Sequence, residues 1–265
     1  MPRRPATPAA ATEPPTDVRA MNAAAGLLYA LAALLFAGLL LSWLLRLPSF
    51  TLRAITVGGD VARNSLTTIR ANAAPKLAGN FFSIDLAAAQ RAFESVPWVR
   101  RARVQRVWPD RLAVQLEEHV AAAWWEVDEG QDKLVNVQGE VFEANPGDVE
   151  DENLPTLRGP EGSAAALLAM HRRLVPLFAP LDARLDKLAM SARGSWRAVL
   201  DSGAELELGR GSEDEVAARV HAFGRSVPQL VARYQRPLEY ADLRHADGYA
   251  LRLQGIGTVV PGTKN

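Results

Sequence analysis

The alternation of apolar and polar residues marks out the elements, beginning with an uncharged run from Ala20 to Leu45, AMNAAAGLLYALAALLFAGLLLSWLL, bounded by Arg19 and Arg46. As a helix it would be roughly 39 Å long at about 1.5 Å per residue, enough to cross a hydrocarbon core of about 30 Å. A cleaved signal sequence has an apolar region of only about 7 to 15 residues and then a small-residue site. Here LRLPSF follows instead. An interfacial helix would need a polar face, and this run has none. The run therefore reads as one uncleaved membrane span with Trp43 at an interface. Arg3, Arg4 and Arg19 precede it, and the basic-residue bias puts residues 1–19 in the cytoplasm and everything from about Leu47 outside it. Arg46 and Arg53 keep that asymmetry small. Met1 to about Asp17 is rich in Ala, Pro and Thr, which predicts a disordered tail.

Beyond the span, LRAITVGG (Leu52–Gly59) predicts a strand and a turn. Asn64 or Ser65 would cap a short helix over Leu66–Ala73, ended by Pro75 and Gly79. A second helix starts near Asp85, with Leu86, Ala89, Phe93 and Val96 on one face, and Pro97 closes it. In VRRARVQRVW, Ala102 and Val104 face one way while Arg101, Arg103 and Gln105 face the other. After the Trp108-Pro109-Asp110 turn, Leu112, Val114 and Leu116 alternate in the same manner. The order is β-α-α-β-β, three short strands on two helices. Phe93 and Trp98 are expected in its core.

From Ala121 the pattern changes. AAAWW predicts a strand and LVNVQGEVFEAN a hairpin turning at Gln138-Gly139, while LPTLRGPEGS reads as a loop stiffened by Pro155 and Pro160. A helix over Ser163–Phe178 would carry Leu167, Leu168, His171, Leu174 and Val175 along one side. LDKLAMSA, SWRAVLD and AELELG predict strands, the last two joined at Asp201-Ser202-Gly203. Ser212 and Glu215 form a capping box for a helix carrying Val216, Val220, Phe223 and Val227, which Pro228 bends or ends. LEYADLRHADGYALRL predicts two strands turning around Ala246-Asp247-Gly248, with Tyr249, Leu251 and Leu253 on one side of the last and Ala250 and Arg252 on the other. Residues beyond Gly255 lack pattern. The fold class is α+β: a transmembrane helix, a β-α-α-β-β domain, then a mixed sheet with two helices.

Composition narrows the chemistry. The 265 residues carry equal numbers of acidic and basic side chains and no cysteine. A neutral chain has no global field for nucleic acid, and without cysteine there is no disulfide, thiolate metal site or cysteine nucleophile. Arg100, Arg101, Arg103, Arg106 and Arg111 crowd one hairpin. They read either as a basic docking surface or, preferably, as a solvated face balanced by Glu117 and Glu118. His119, His171, His221 and His245 form no metal motif, and neither a G-x-S-x-G elbow nor an EF-hand spacing occurs. GRGSED lacks the Lys-Ser/Thr of a phosphate loop, and the acidic run Asp148–Glu152 reads as a solvated loop. No catalytic residue, metal, cofactor or small-molecule substrate is indicated. A binding scaffold fits better than a membrane-anchored periplasmic hydrolase, whose nucleophile and base are missing.

RRARVQRVWPDRLAVQLEEHVAAAWW, with the preceding LRAITVGG and PWV, resembles a POTRA domain, over residues 50–119. POTRA domains also occur in outer-membrane assembly and two-partner secretion proteins, usually as repeats or before a barrel. A single copy after a membrane span is similar to the FtsQ/DivIB family. LPTLRGPEGS, AMSARGSW, ELELGRG and YADLRHADGYALRL resemble that family's β domain, over residues 120–255, leaving 256–265 as a flexible tail. The resemblance implies a non-catalytic bitopic inner-membrane scaffold that brings FtsB and FtsL to the septum and helps control septal peptidoglycan synthesis. It implies that FtsB adds a strand to the edge of the last β-strand, and it carries partner contact onto Arg193, Arg244, His245, Gly248, Tyr249 and Leu253. The family often has an aromatic at the place of His245, and one relative has tryptophan at that of Leu253. Read without the resemblance, these residues are a hairpin turn with ordinary core packing.

Overall fold

The computed structural model describes residues 16–45, 47, 50–59, 62–63, 66–73, 77, 80–128, 131–245 and 248–255. Most of the two tails, the caps at Asn64 and Ser65, the breakers Pro75 and Gly79, and Ala246-Asp247 lie outside them.

Helix α1 (Thr16–Leu45) begins slightly before the apolar run. Its segment Ala20–Leu45 is long and apolar enough to cross a membrane, and none of it is buried in the rest of the protein. That is the surface expected of a helix whose surroundings are lipid.

A three-stranded sheet follows, built from β1 (Ala54–Gly59), β2 (Val99–Val107) and β3 (Arg111–Glu118) in the order β1-β3-β2. The hairpin β2–β3 is antiparallel, and β1 runs parallel to β3. Helices α2 (Leu66–Ala73) and α3 (Leu86–Glu94) supply the crossover between β1 and β2. Asp85 caps α3 by accepting from the N–H groups of Ala87 at 2.8 Å and Ala88 at 3.1 Å. Those two donors hold its carboxyl below the usual aspartate range. The core joins Ile69 and Phe93 from the helices to Val99, Ala102, Val114 and Leu116 from the sheet. Leu86, expected in that face, is only half-buried, and Ala92 takes its place. Gly59 has φ +102, and a Cβ there would lie 2.2 Å from the Leu116 carbonyl oxygen, so only glycine lets β1 end against β3.

The remaining strands form one nine-stranded sheet in the order β12-β11-β10-β9-β8-β7-β4-β5-β6. They are β4 (Ala121–Trp125), β5 (Lys133–Asn136), β6 (Val141–Phe142), β7 (Thr156–Arg158), β8 (Leu185–Met190), β9 (Trp196–Leu200), β10 (Glu205–Gly209), β11 (Leu238–Asp242) and β12 (Ala250–Leu253). Helices α4 (Ala164–Phe178) and α5 (Glu213–Tyr234) cover one face. Their close approach depends on Gly224, where a Cβ would meet the Leu177 carbonyl oxygen at 2.7 Å.

The structure corrects several sequence expectations here. The expected loop LPTLRGPEGS contains β7, which lies in mid-sheet between β4 and β8 and buries Leu157 completely. Three residues between prolines are too short to show alternation. Pro228 does not end α5, which runs on to Tyr234. Buried Val220, Phe223 and Val227 hold the helix against the sheet across the lost N–H. Val175 faces solvent, and Met170 is buried instead. The acidic run is not simply solvated: Val149 is buried in a 3-10 turn, Pro146–Val149.

The two sheets meet around Trp98. Its indole N–H donates to Asp148 Oδ2 at 2.8 Å, its ring lies edge-on to Phe142 at 5.2 Å, and the Arg63 guanidinium stacks on it at 4.4 Å. Arg100 bridges the sheets by ion pairs to Glu117 at 2.5 Å and Glu140 at 2.7 Å. Glu118 accepts from the Arg63 backbone N–H at 2.9 Å. Arg106 donates to the carbonyls of Phe81 and Ile84, both at 2.7 Å. Within the arginine cluster, Arg100 and Arg106 are therefore structural ties.

Candidate functional site

Strand β12 is an edge strand. Leu243 N–H donates to Glu207 O on β10 at 2.9 Å, so by alternation the N–H groups of Asp242 and Tyr240 point to β12. Gln254 N–H donates to Pro237 O at 3.0 Å, so those of Arg252 and Ala250 point back to β11. The register Asp242↔Ala250, Ala241↔Leu251, Tyr240↔Arg252 agrees. The backbone groups of Leu251 and Leu253 are thus the ones aimed outward, and β12 has no further neighbour among the described residues. An unpaired row of this kind is a template for another strand.

The side chains of β12 alternate as the sequence predicts. Ala250 and Arg252 are exposed, Tyr249 and Leu251 half-buried and Leu253 buried. Tyr249 ties the strand to α5: its ring stands edge-on to Phe223 at 5.1 Å, and its hydroxyl donates to Ser226 Oγ at 2.7 Å. Ser226 in turn donates to the Ala222 carbonyl at 3.0 Å. Leu253 belongs to the core, so it can offer an incoming strand backbone groups but little side chain.

Arg244, just past β11, is already engaged. The Asp242 carboxylate accepts from its backbone N–H at 3.0 Å, Nε at 2.8 Å and Nη2 at 2.6 Å. This fork holds the Asp242 carboxyl down to about 2 and shapes the turn. More than half of the Arg244 side chain still faces solvent. His245 and Gly248 are exposed beside it. Arg193 is exposed in the β8–β9 turn, whose backbone is held by Ser195 N–H donating to Ser191 Oγ at 3.0 Å. Strand directions put that turn at the same end of the sheet as Arg244, with β9 and β10 between β8 and β11. Strands lie about 4.8 Å apart, so the turn sits on the order of 10 Å away along that end. Arg244, His245, Gly248 and Tyr249 are therefore neighbours in the chain's last hairpin, Arg193 flanks them, and Leu253 lies at the far end of β12.

Two residues that shape the site, Asp242 and Ser226, stand outside the partner-contact set that the resemblance implies. Aspartate two residues before an arginine at a strand end is a readable turn signal. Ser226 carries no signal, because it meets Tyr249 only through the packing of α5.

Because Asp242 has a lowered carboxyl pKa, its pairing contributes stability that is complete above about 4 and is lost as pH falls toward 2. The contribution is about 1–2 kcal/mol after discounting for the exposed arginine. Pepsin cleavage of the last hairpin, normalised to an unstructured substrate, is expected to quicken as pH falls through that window. In Asp242→Asn it should be fast throughout.

Two of the four histidines are structural. His119 Nδ1 lies 2.9 Å from Asn136 Nδ2, its ring stacks on Phe142 at 4.0 Å, and burial pushes its pKa down. His171 Nε2 lies 3.2 Å from the Leu185 carbonyl, and burial lowers it as well.

Comparison with known proteins decides the family. Residues 50–119 match the family model described as POTRA domain, FtsQ-type, and residues 123–244 that described as Cell division protein FtsQ/DivIB, C-terminal. The chain belongs to the FtsQ/DivIB family. It is 42% identical to cell division protein FtsQ of Burkholderia pseudomallei over 241 residues, covering 91% of this chain and 94% of that protein. It is 40% identical to cell division protein FtsQ of Thiomonas arsenitoxydans, covering 92% of this chain and 90% of that one. Identity to the Bordetella pertussis protein of the same name is 36%, over 89% and 92% of the two chains. As an FtsQ/DivIB protein it is a non-enzymatic cell-division protein, and its apolar N-terminal helix fits a single-pass membrane protein.

Proposed function

We infer that this FtsQ/DivIB protein is a bitopic inner-membrane scaffold that gathers FtsB- and FtsL-type partners at the septum and thereby helps control septal peptidoglycan synthesis. The N-terminal tail lies in the cytoplasm, while the POTRA domain (50–119) and β domain (120–255) lie in the periplasm. The observation that carries this reading is the outward row of backbone groups on β12 at the end of the nine-stranded sheet. A partner strand adds there through backbone hydrogen bonds. The surface around Arg193, Arg244, His245, Gly248 and Tyr249 selects it, and Leu253 contributes from its backbone. The exposed part of Arg244 favours an acidic partner segment.

Capture of the full chain from membranes tests the reading. The wild-type protein is expected to retain the FtsB-like partner, and loss of all division partners from wild type would refute it. Topology is checked by a reporter active only in the periplasm, fused after Asn265. It is expected to work, whereas activity of a cytoplasmic reporter at that place would reverse the orientation.

A further inference from the structure

The chain leaves α1 at Leu45 and enters β1 at Ala54, so the start of β1 stays close to the helix end. Because β3 is parallel to β1 and β2 antiparallel to β3, the β2–β3 turn at Trp108-Pro109-Asp110 lies at that same end. Hydrogen bonds hold it there. Arg53 N–H donates to Asp110 O at 2.9 Å, Asn80 Nδ2 to Leu45 O at 2.6 Å, and Phe81 N–H to Phe50 O at 2.9 Å. Arg106 joins the end of β2 to the same 81–84 loop.

This end carries apolar side chains that no core explains. Trp108 is 75% exposed, Phe82 44% and Val107 43%. Phe82 extends the patch toward Phe50, with ring centroids 5.0 Å apart. Around it stand Arg53 and Arg111, both more than half exposed, which share the single carboxylate of Asp110 at 3.7 and 3.8 Å. The turn is therefore apolar at its tip and net positive at its rim. Tryptophan and phenylalanine favour the boundary between headgroups and acyl chains, and arginine favours anionic headgroups. A contiguous exposed apolar patch on a folded domain marks an interaction site. The bilayer is the one surface that the connection to α1 always keeps within reach.

We propose that this end of the POTRA sheet docks on the bilayer, with Trp108, Phe82 and Val107 entering the headgroup region of the leaflet where α1 ends and Arg53 and Arg111 meeting anionic phosphates. The docking rests on the reading of α1 as a membrane span. It fixes the tilt of the POTRA domain, and through the Trp98 junction it sets how the β domain and its docking edge stand above the membrane.

The test uses the full chain in nanodiscs of phosphatidylethanolamine and phosphatidylglycerol. The sequence has no cysteine, so single spin labels can be placed by Val107→Cys, Leu35→Cys and Arg101→Cys. Collision with oxygen against a water-soluble nickel chelate reports depth. Leu35→Cys, on α1, is expected deep in the bilayer. Arg101→Cys, about 20 Å back along β2, is expected in water. Val107→Cys is expected within about 5–10 Å of the headgroup–acyl boundary. Adding Trp108→Ser and Phe82→Ser should return the Val107→Cys label to water. A label at 107 as aqueous as that at 101, with 35 embedded, would overturn the docking and leave the span intact. Water contact at 35 would remove both. An interfacial label unmoved by the serine substitutions would overturn the aromatic anchor. A label aqueous in lipid alone but immobilised in native membranes would assign the patch to a protein and overturn the lipid reading.

Discussion

Phe93→Ala is expected to destabilise the POTRA domain by about 3–5 kcal/mol, the range for truncating a large buried side chain. Phe93 is 2% exposed and stands where α3 meets β2 and β3, in contact with the cluster that includes Ile69, Val96, Val99 and Leu116. The neighbours cannot collapse into the gap, because α3 is held at one end by the Asp85 cap and at the other by Ser95, whose N–H donates to Arg91 O at 3.0 Å. A small domain has little reserve to absorb such a loss. Pulse proteolysis of the membrane-inserted chain in urea is the measurement, scored on cleavage within residues 50–119. A shift worth less than about 1 kcal/mol would mean that the helix presents another face to the sheet.

The parts of the fold visible in the sequence are those whose signal fits inside one element. The α1 run is uncharged from end to end, and α5 opens on a capping box, Ser212 with Glu215, in which both reciprocal hydrogen bonds form, at 3.3 and 2.8 Å. Strands β3 and β12 alternate cleanly and fold as they alternate. The parts not visible are set by partners far along the chain. Strand β7 exists because β4 and β8 hydrogen-bond it on either side, although its three residues have no pattern of their own. The junction depends on Arg63 and Trp98, which stand 85 and 50 residues before their partner Asp148 and meet it only through the packing of the two sheets. At the β12 edge the sequence supplies the hairpin and its side-chain parity. It does not supply the order of strands that leaves β12 outermost, nor the Asp242 fork that pre-engages Arg244. That fork matters for mutagenesis: Arg244→Glu would place a second carboxylate beside Asp242 and disturb the turn as well as the charge, so Arg244→Gln is the cleaner change.

Leu251→Pro is expected to abolish retention of the FtsB-like partner while leaving the chain folded and membrane-inserted. The position follows from hydrogen-bond parity. The Ala250 N–H points to β11, so proline there would break the hairpin from inside. The Leu251 N–H points outward, so proline there removes a donor that pairs with no strand among the described residues and sets its ring in the path of an added strand. Leu251 is half-buried and packs against the main core, so some stability is lost with its side chain. Leu251→Ala isolates that loss, since it truncates the side chain and keeps the donor. The expected ordering is wild type, then Leu251→Ala with partner retention reduced by up to about tenfold, then Leu251→Pro with none, a single-strand edge losing both a hydrogen bond and steric access. Circular dichroism and proteolysis of the hairpin must show both variants folded. If folded Leu251→Pro still retains the partner as well as Leu251→Ala does, the partner does not add a strand to β12. The contact would then have to be made by side chains alone, through Arg193, Arg244, His245 and Tyr249 at the end of the sheet, and Arg244→Gln would weaken it more than any change of the backbone.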